Sequence, residues 1–251
     1  MMNRRYALKA LAGLALCPIC APSAFAAEGA HWSYEGEHGP AHWADMDAAN
    51  KACSVGSQQS PVDIQSSTPS RLPNLQIAWR KKSDMIVNNG HTIQINADPG
   101  NTMTVGKDSY ELLQFHFHHP SEHLIAGKHY PMECHFVHKD KAGNLAVVGV
   151  LMTAGRPNLA FKQVAMAMPG SASNPVKMTA GINMNQMLPA RRGYYRYSGS
   201  LTTPPCSEVV NWLLLREPIM VAQTDIDTFA KLFPMNARPA QKDNRRFVLS
   251  S

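Results

Sequence analysis

The spacing of apolar side chains predicts a chain built mostly from strands. Ile93-Gln94-Ile95 alternates, and Leu112 to His118 alternates over a longer stretch, with the period of two expected of a half-buried strand. Leu145 to Met152 is a continuous apolar run and Val209 to Leu215 is similar, which suits strands covered on both faces. Proline and glycine punctuate these segments at Pro99-Gly100, Pro120, Gly127 and Pro169-Gly170, where the chain is expected to turn. Helical patterns are short, as in Asp225 to Leu232, where Thr224 is a candidate N-cap. No repeat, low-complexity tract or long polar linker interrupts Trp32 to Phe247. The predicted class is mainly β, a single domain with short peripheral helices.

The N-terminus departs from this pattern. Arg4, Arg5 and Lys9 precede an apolar run from Ala10 to Ala21, and Ala24-Phe25-Ala26 supplies small residues at a cleavage position, so residues 1–26 read as a secretory signal. Arg4-Arg5 also fits a twin-arginine signal, and both routes stay open. The run is too short to span a bilayer, and no later segment reaches 18 consecutive apolar residues. The expected product is residues 27–251, periplasmic or secreted, without a membrane span. Its oligomeric state stays open between monomer and homodimer.

Composition and charge then change meaning. At 44% hydrophobic and 17% charged residues the chain is globular in composition. The net charge of +6 falls to +3 once Arg4, Arg5 and Lys9 are removed. The remaining basic runs, Arg80-Lys81-Lys82 and Arg245-Arg246, lack interleaved aromatics, so nucleic acid is not an expected partner. Of five cysteines, Cys17 and Cys20 leave with the signal. Cys53, Cys134 and Cys206 predict one disulfide and one thiol in an oxidising compartment, with three pairings open.

All eleven histidines lie between His31 and His138. On a strand through Leu113-Gln114-Phe115-His116-Phe117-His118, the residues Leu113, Phe115 and Phe117 share an apolar face, and Gln114, His116 and His118 share the other. In Glu133-Cys134-His135-Phe136-Val137 the same parity sets Cys134 and Phe136 toward the core and Glu133, His135 and Val137 opposite. If the two strands pair, three imidazoles converge. Neutral imidazoles leave the charge of a zinc ion uncompensated, and three protein ligands leave a fourth position for water. Gln114 and Glu133, two residues from proposed ligands and on the same face, are suited to holding the outer imidazole nitrogens. His-x-His alone also fits surface histidines or a cupin-type site.

Seven ordered blocks sharpen the picture. They are His31-Trp32-Ser33-Tyr34 with Gly39-Pro40-Ala41-His42-Trp43; Gln59-Ser60-Pro61-Val62-Asp63-Ile64; Asn88-Asn89-Gly90-His91; Gln114 to His118; Ser121-Glu122-His123; Glu133 to His138; and Tyr197-Ser198-Gly199-Ser200-Leu201-Thr202-Thr203-Pro204-Pro205-Cys206. With these the chain resembles the α-class carbonic anhydrases over essentially its whole mature length. The resemblance implies one domain around a large, twisted, mostly antiparallel sheet. It implies a zinc lyase that reversibly hydrates carbon dioxide to bicarbonate and a proton by attack of zinc-bound hydroxide. His116, His118 and His135 become the zinc ligands, with Gln114 and Glu133 holding the first and third. Thr202 becomes a gatekeeper hydroxyl that donates to Glu122, and Thr203 a hydrogen-bonding neighbour. Val137, Val147, Leu201, Val210 and Trp212 become the carbon dioxide pocket. His91 becomes the proton shuttle, with Tyr34 and Asn89 ordering the intervening water. Cys53 and Cys206 match bridged positions, Cys134 is left as a buried thiol, and cis bonds are implied before Pro61 and Pro205.

Two departures from the family pattern stand out. Only three residues separate His118 from Glu122, and Gln94 stands where many members carry asparagine. His31, His38 and His42 are expected to pack near the N-terminus, and His119, His123, His129 and His138 to be structural or exposed. The rival readings are a catalytically silent binding module on the same fold, which would typically have lost a zinc histidine, and a different metal-dependent hydrolase or metal-storage protein, which would not need the Thr202–Glu122 pair.

Overall fold

The computed structural model describes residues 31–251; the expected signal, residues 1–26 with Cys17 and Cys20, lies outside them. The strands that position the site are β1 (Ser83–Asn88), β2 (Ile93–Asn96), β3 (Asp108–His118), β4 (Met132–Lys139), β5 (Leu145–Ala154), β6 (Val176–Ile182), β7 (Tyr194–Gly199) and β8 (Val210–Val221). They lie in the order β6-β1-β2-β3-β4-β5-β8-β7 within a twelve-stranded sheet among the described residues. Pairing along this path is antiparallel except between β5 and β8. Those are the two segments with continuous apolar runs, as burial on both faces demands.

One face of the sheet carries Phe115, Phe117, Cys134 and Phe136, all fully buried. They pack in one cluster with Phe161 and Val164 of α1 (Leu159–Ala167) and Ile226 and Phe229 of α2 (Gln223–Leu232). Each buried phenylalanine contributes about 2–3 kcal/mol of apolar transfer. The helices therefore cover the core face and leave the histidine face to the cleft. Helix α2 starts earlier than Thr224 suggests: its N-cap is Ala222, which has no side-chain cap, and Thr224 lies inside the first turn.

The parity expected for β3 holds for Phe115 and Phe117 and fails at Leu113, which is 38% exposed. Val137 pairs with Gln114 but His138 pairs with Leu112, so Leu113 is the extra residue of a β-bulge, which resets the alternation. On the partner strand His138 stays on the core side, fully buried. It stacks on Trp79 with ring centroids 5.7 Å apart and donates from Nδ1 to the Phe136 carbonyl at 2.8 Å.

Burial holds the His138 imidazole neutral down to about pH 4. The unfolded chain takes up that proton near pH 6.5. Stability should therefore fall on acidification from about pH 6.5 to pH 4, by about 3 kcal/mol from this residue. His138→Phe, which keeps an aromatic ring on Trp79, is expected to flatten the decline of melting temperature across that window. An unaltered slope would remove His138 as a source of acid sensitivity.

Cys53 and Cys206 form a disulfide across 153 residues, and Cys134 is a buried free thiol. Closing a loop that long constrains the unfolded chain by about 4–5 kcal/mol in the chain-entropy account. The bonds before Pro61 and Pro205 are cis, as is a third, unexpected one at His119–Pro120. No helix among the described residues is long and apolar enough to cross a membrane.

Candidate metal centre

Register brings the histidines together. His135 on β4 stands directly opposite His116 on β3, and Glu133 opposite His118. One ring nitrogen from each of His116, His118 and His135 lies within 4.8 Å of the other two. The outward nitrogens all have partners: His116 Nδ1 donates to Gln114 Oε1 at 2.8 Å, His118 Nδ1 to the Asn236 carbonyl at 2.7 Å, and His135 Nε2 to Glu133 Oε1 at 2.8 Å. Each hydrogen bond places the ring proton on the outer nitrogen, so three lone pairs face one point.

Burial pushes the pKa of His116 well below the usual histidine value, that of His118 down to about 4, and lowers that of His135. All three are therefore neutral at pH 7, the form that ligates a metal. His118 Nε2 is buried without a hydrogen-bond partner among the described residues. Three convergent neutral imidazoles, one with an orphaned lone pair, fit a tetrahedral cation with one open position.

Glu133 is fully buried. Burial alone would raise its pKa, but the electrostatic attraction of the His123 and His135 rings and their hydrogen bonds outweigh that and hold it well below the carboxylate range. It accepts from His123 Nδ1 at 2.7 Å and from the His123 backbone N–H at 2.8 Å. His123 Nε2 is 2.6 Å from the Tyr197 hydroxyl. His123, Glu133 and His135 also lie close enough to hold a metal, but their facing atoms are committed to one another. Gly149 on β5, opposite His135, makes room for this pair: a Cβ there would sit 3.0 Å from Glu133 Oε1 and 2.7 Å from Leu214 Cδ1.

Glu122 is fully buried, and its Oε1 accepts the Arg238 backbone N–H at 2.8 Å. Its Oε2 lies 3.6 Å from His118 Nε2 and 3.9 Å from His135 Nδ1. Burial raises its pKa to about 7, opposed by His135, the Arg238 N–H and the Thr202 hydroxyl; a bound dication would favour the ionised form further. The short connection from His118 thus still delivers Glu122 to the metal point.

The cleft above has a volume of about 130 Å³ and is lined by Trp32, Tyr34, Asn89, His91, Gln94, His116 and Thr203, among others. The His91 ring stacks on Trp32 with centroids 3.7 Å apart and planes 6° apart. Asn89 Oδ1 accepts the backbone N–H of both His91 and Thr92 at 3.0 and 2.9 Å, which leaves only its amide nitrogen for cleft solvent. Burial, then the Glu122 charge, raises the Tyr34 pKa well above its ordinary value, so the phenol stays protonated. Gln94 donates to Asn96 Oδ1 at 2.7 Å. On the same face Val147, Val210 and Trp212 are buried in one apolar cluster, against which Val137 and Leu201 pack.

The structure therefore brings His116, His118 and His135 together with Gln114 and Glu133 on their outer nitrogens, and gathers Val137, Val147, Leu201, Val210 and Trp212 in one apolar cluster. His31, His38 and His42, expected to pack near the N-terminus, are all exposed, and the N-terminal segment buries Trp43 rather than its histidines. Sequence reasoning passes over Asn236 and Arg238, whose main-chain groups hold His118 and Glu122, and gives His123 no partner. His123 carries a usable signal, since it lies in the same ordered block as Glu122.

A large twisted sheet with three neutral histidines that could hold a metal ion, two of them lining a small polar cleft and one against Trp212 of a neighbouring apolar cluster, defines a protein with a candidate metal centre. Residues 38–251 match the family described as eukaryotic-type carbonic anhydrase. The chain is 38% identical to a carbonic anhydrase of Pectobacterium carotovorum over 228 residues, covering 90% of this chain and 93% of that one. It is 40% identical to one from Neisseria gonorrhoeae, covering 87% of each. The solved α-carbonic anhydrase of Thermovibrio ammonificans, in complex with sulfanilamide, superposes with a TM-score of 0.86 at 42% identity, covering 88% of this chain and 99% of that one. The chain belongs to the α-class carbonic anhydrase family and is an enzyme of that family.

Proposed function

We propose that this protein catalyses the reversible hydration of carbon dioxide to bicarbonate and a proton, with zinc held by His116, His118 and His135. The observation that carries this reading is the convergence of three imidazole nitrogens, each ring with its outer nitrogen hydrogen-bonded, with the His135 ring against Trp212 of an apolar cluster. A zinc ion held by His116, His118 and His135 would supply a Lewis acid able to lower the pKa of water to about 7, as is known for carbonic anhydrases generally, and so a nucleophile at neutral pH.

The protein supplies orientation, a substrate seat and a proton exit. Thr202, with its proton turned toward Glu122, presents only lone pairs to the cleft, so it accepts a hydrogen bond from the attacking oxygen and fixes its direction. Val137, Val147, Leu201, Val210 and Trp212 seat an uncharged, apolar substrate, and Thr203 hydrogen-bonds beside it. His91 takes the released proton through water ordered by Tyr34 and Asn89, since a histidine titrates in the right range. The 1–26 pattern and the Cys53–Cys206 bridge support a periplasmic or secreted location. The silent-module reading is not favoured, because His116, His118, His135, Thr202 and Glu122 are all present in the sequence.

The test is stopped-flow carbon dioxide hydration on purified protein, before and after chelation and again after one equivalent of zinc. Activity should vanish on chelation and return with zinc. A rate that ignores metal content ends the proposal.

A further inference from the structure

Asn236 belongs to none of the sequence motifs, yet every polar group it has is in use. Its carbonyl accepts His118 Nδ1 at 2.7 Å and its backbone N–H donates to the His119 carbonyl at 3.0 Å. Its Oδ1 accepts the His119 backbone N–H at 2.7 Å. Its Nδ2 donates twice, to the Phe117 carbonyl at 2.9 Å and to the His91 carbonyl at 3.0 Å. The residue is 1% exposed, so these bonds are made away from bulk solvent.

Those contacts join two parts of the site that the chain keeps far apart. The turn carrying His91 is shaped from within by Asn88 Oδ1 on the Gly90 N–H and by Asn89 Oδ1. Internal shape does not fix where the turn stands relative to the end of β3. The β2–β3 pairing, with Gln94 opposite His116, brings the turn beside β3; beyond the end of that ladder it is held by Thr92 Oγ1, which donates to the Phe117 carbonyl at 2.6 Å, and by the Asn236 amide, which grips Phe117 and His91 together. One side chain thus ties the backbone of His91 to the strand end that bears His118, while its own carbonyl orients the His118 ring.

We infer that Asn236 is a positioning residue for proton transfer: its side-chain amide sets the separation between His91 and the metal centre. The inference rests on His91 being the proton relay. A relay through ordered water is sensitive to its endpoints, and a misplacement near 1 Å can cost about a hundredfold in rate. The carbonyl that holds His118 belongs to the backbone and survives substitution. Loss of the amide should therefore affect proton exit more than bond formation.

Asn236→Asp keeps an acceptor for the His119 N–H and removes the amide donor pair, and Asn236→Ser, too short to reach His91, guards against a folding failure of the first variant. The parameter kcat/KM covers steps up to departure of bicarbonate, whereas kcat also includes the proton exit that follows. In weak buffer kcat is expected to fall about tenfold and kcat/KM by less than threefold, with kcat restored by added imidazole. Zinc affinity, read by chelator competition, should stay within threefold. In a His91→Ala background the same substitution should add less than twofold, because the coupled partner is already gone.

Equal losses in kcat and kcat/KM with weakened zinc binding would show that Asn236 acts through His118 alone and would overturn the coupling. So would an unchanged kcat in the Asn236 variants where His91→Ala lowers it. If His91→Ala by itself leaves kcat unaltered in weak buffer, the relay reading falls and this inference falls with it, while zinc-dependent hydration still stands.

Discussion

Replacing His118 with alanine is expected to reduce carbon dioxide hydration at least ~10³-fold and to leave the purified protein without zinc after dialysis against a mild chelator. The reasoning starts from the donor set. His118 Nε2 is buried without a hydrogen-bond partner among the described residues, and its ring is fixed by the Asn236 carbonyl. Alanine removes one of three proposed ligands. Losing only the hydrogen-bond partner of a metal ligand costs about 10- to 100-fold in affinity, so losing a ligand itself should cost more. The fold should persist, because the core lies on the opposite face of the sheet around Phe115, Phe117 and Phe136. Zinc content by elemental analysis, thermal unfolding and stopped-flow hydration together decide the matter. A folded His118→Ala protein that keeps stoichiometric zinc and activity would refute this ligand set.

Thr202→Ala should lower kcat/KM by about a hundredfold while zinc content stays at one equivalent. Removing one preorganised hydrogen-bonding group that acts on a reacting oxygen costs on the order of 10²–10³ in rate. Thr202 is buried, and its hydroxyl acts on the Glu122 carboxyl. Its proton is therefore directed away from the cleft and its lone pairs toward it. Alanine abolishes that polarity without touching a ligand. Thr202→Ser keeps the hydroxyl and should recover activity to within about fivefold. If alanine and serine lose activity equally, the methyl group matters rather than the hydroxyl, and the orienting role of Thr202 is wrong.

The strands that carry the histidines are legible because alternation is local. Ile93–Asn96, Asp108–His118 and Leu145–Ala154 all form where the apolar pattern places strands, with boundaries moved by a few residues. The exception within them is Leu113, where a bulge inserts one residue and sends an apolar side chain outward. Nothing in the alternation marks a bulge, since it arises from how two strands are aligned. The start of α2 differs for a related reason: Thr224 is a good cap by residue type, but the chain enters the helix from β8 at Ala222. His138 carries no obvious core signal as a residue type, yet the strand parity that buries Cys134 and Phe136 also buries it.

Period-two spacing by itself determined that His116 and His118 share a face with Gln114, and that Glu133 and His135 share one as well. Strand geometry makes this unavoidable whatever surrounds the strands. Only the tertiary structure decided that His135 lies opposite His116, which nitrogen of each ring turns inward, and that Asn236 and Arg238 hold His118 and Glu122 from 118 and 116 residues away. Side-chain parity is written into consecutive residues. Strand register and the choice of hydrogen-bond partner come from satisfying buried polar groups across segments that meet only after the chain has folded.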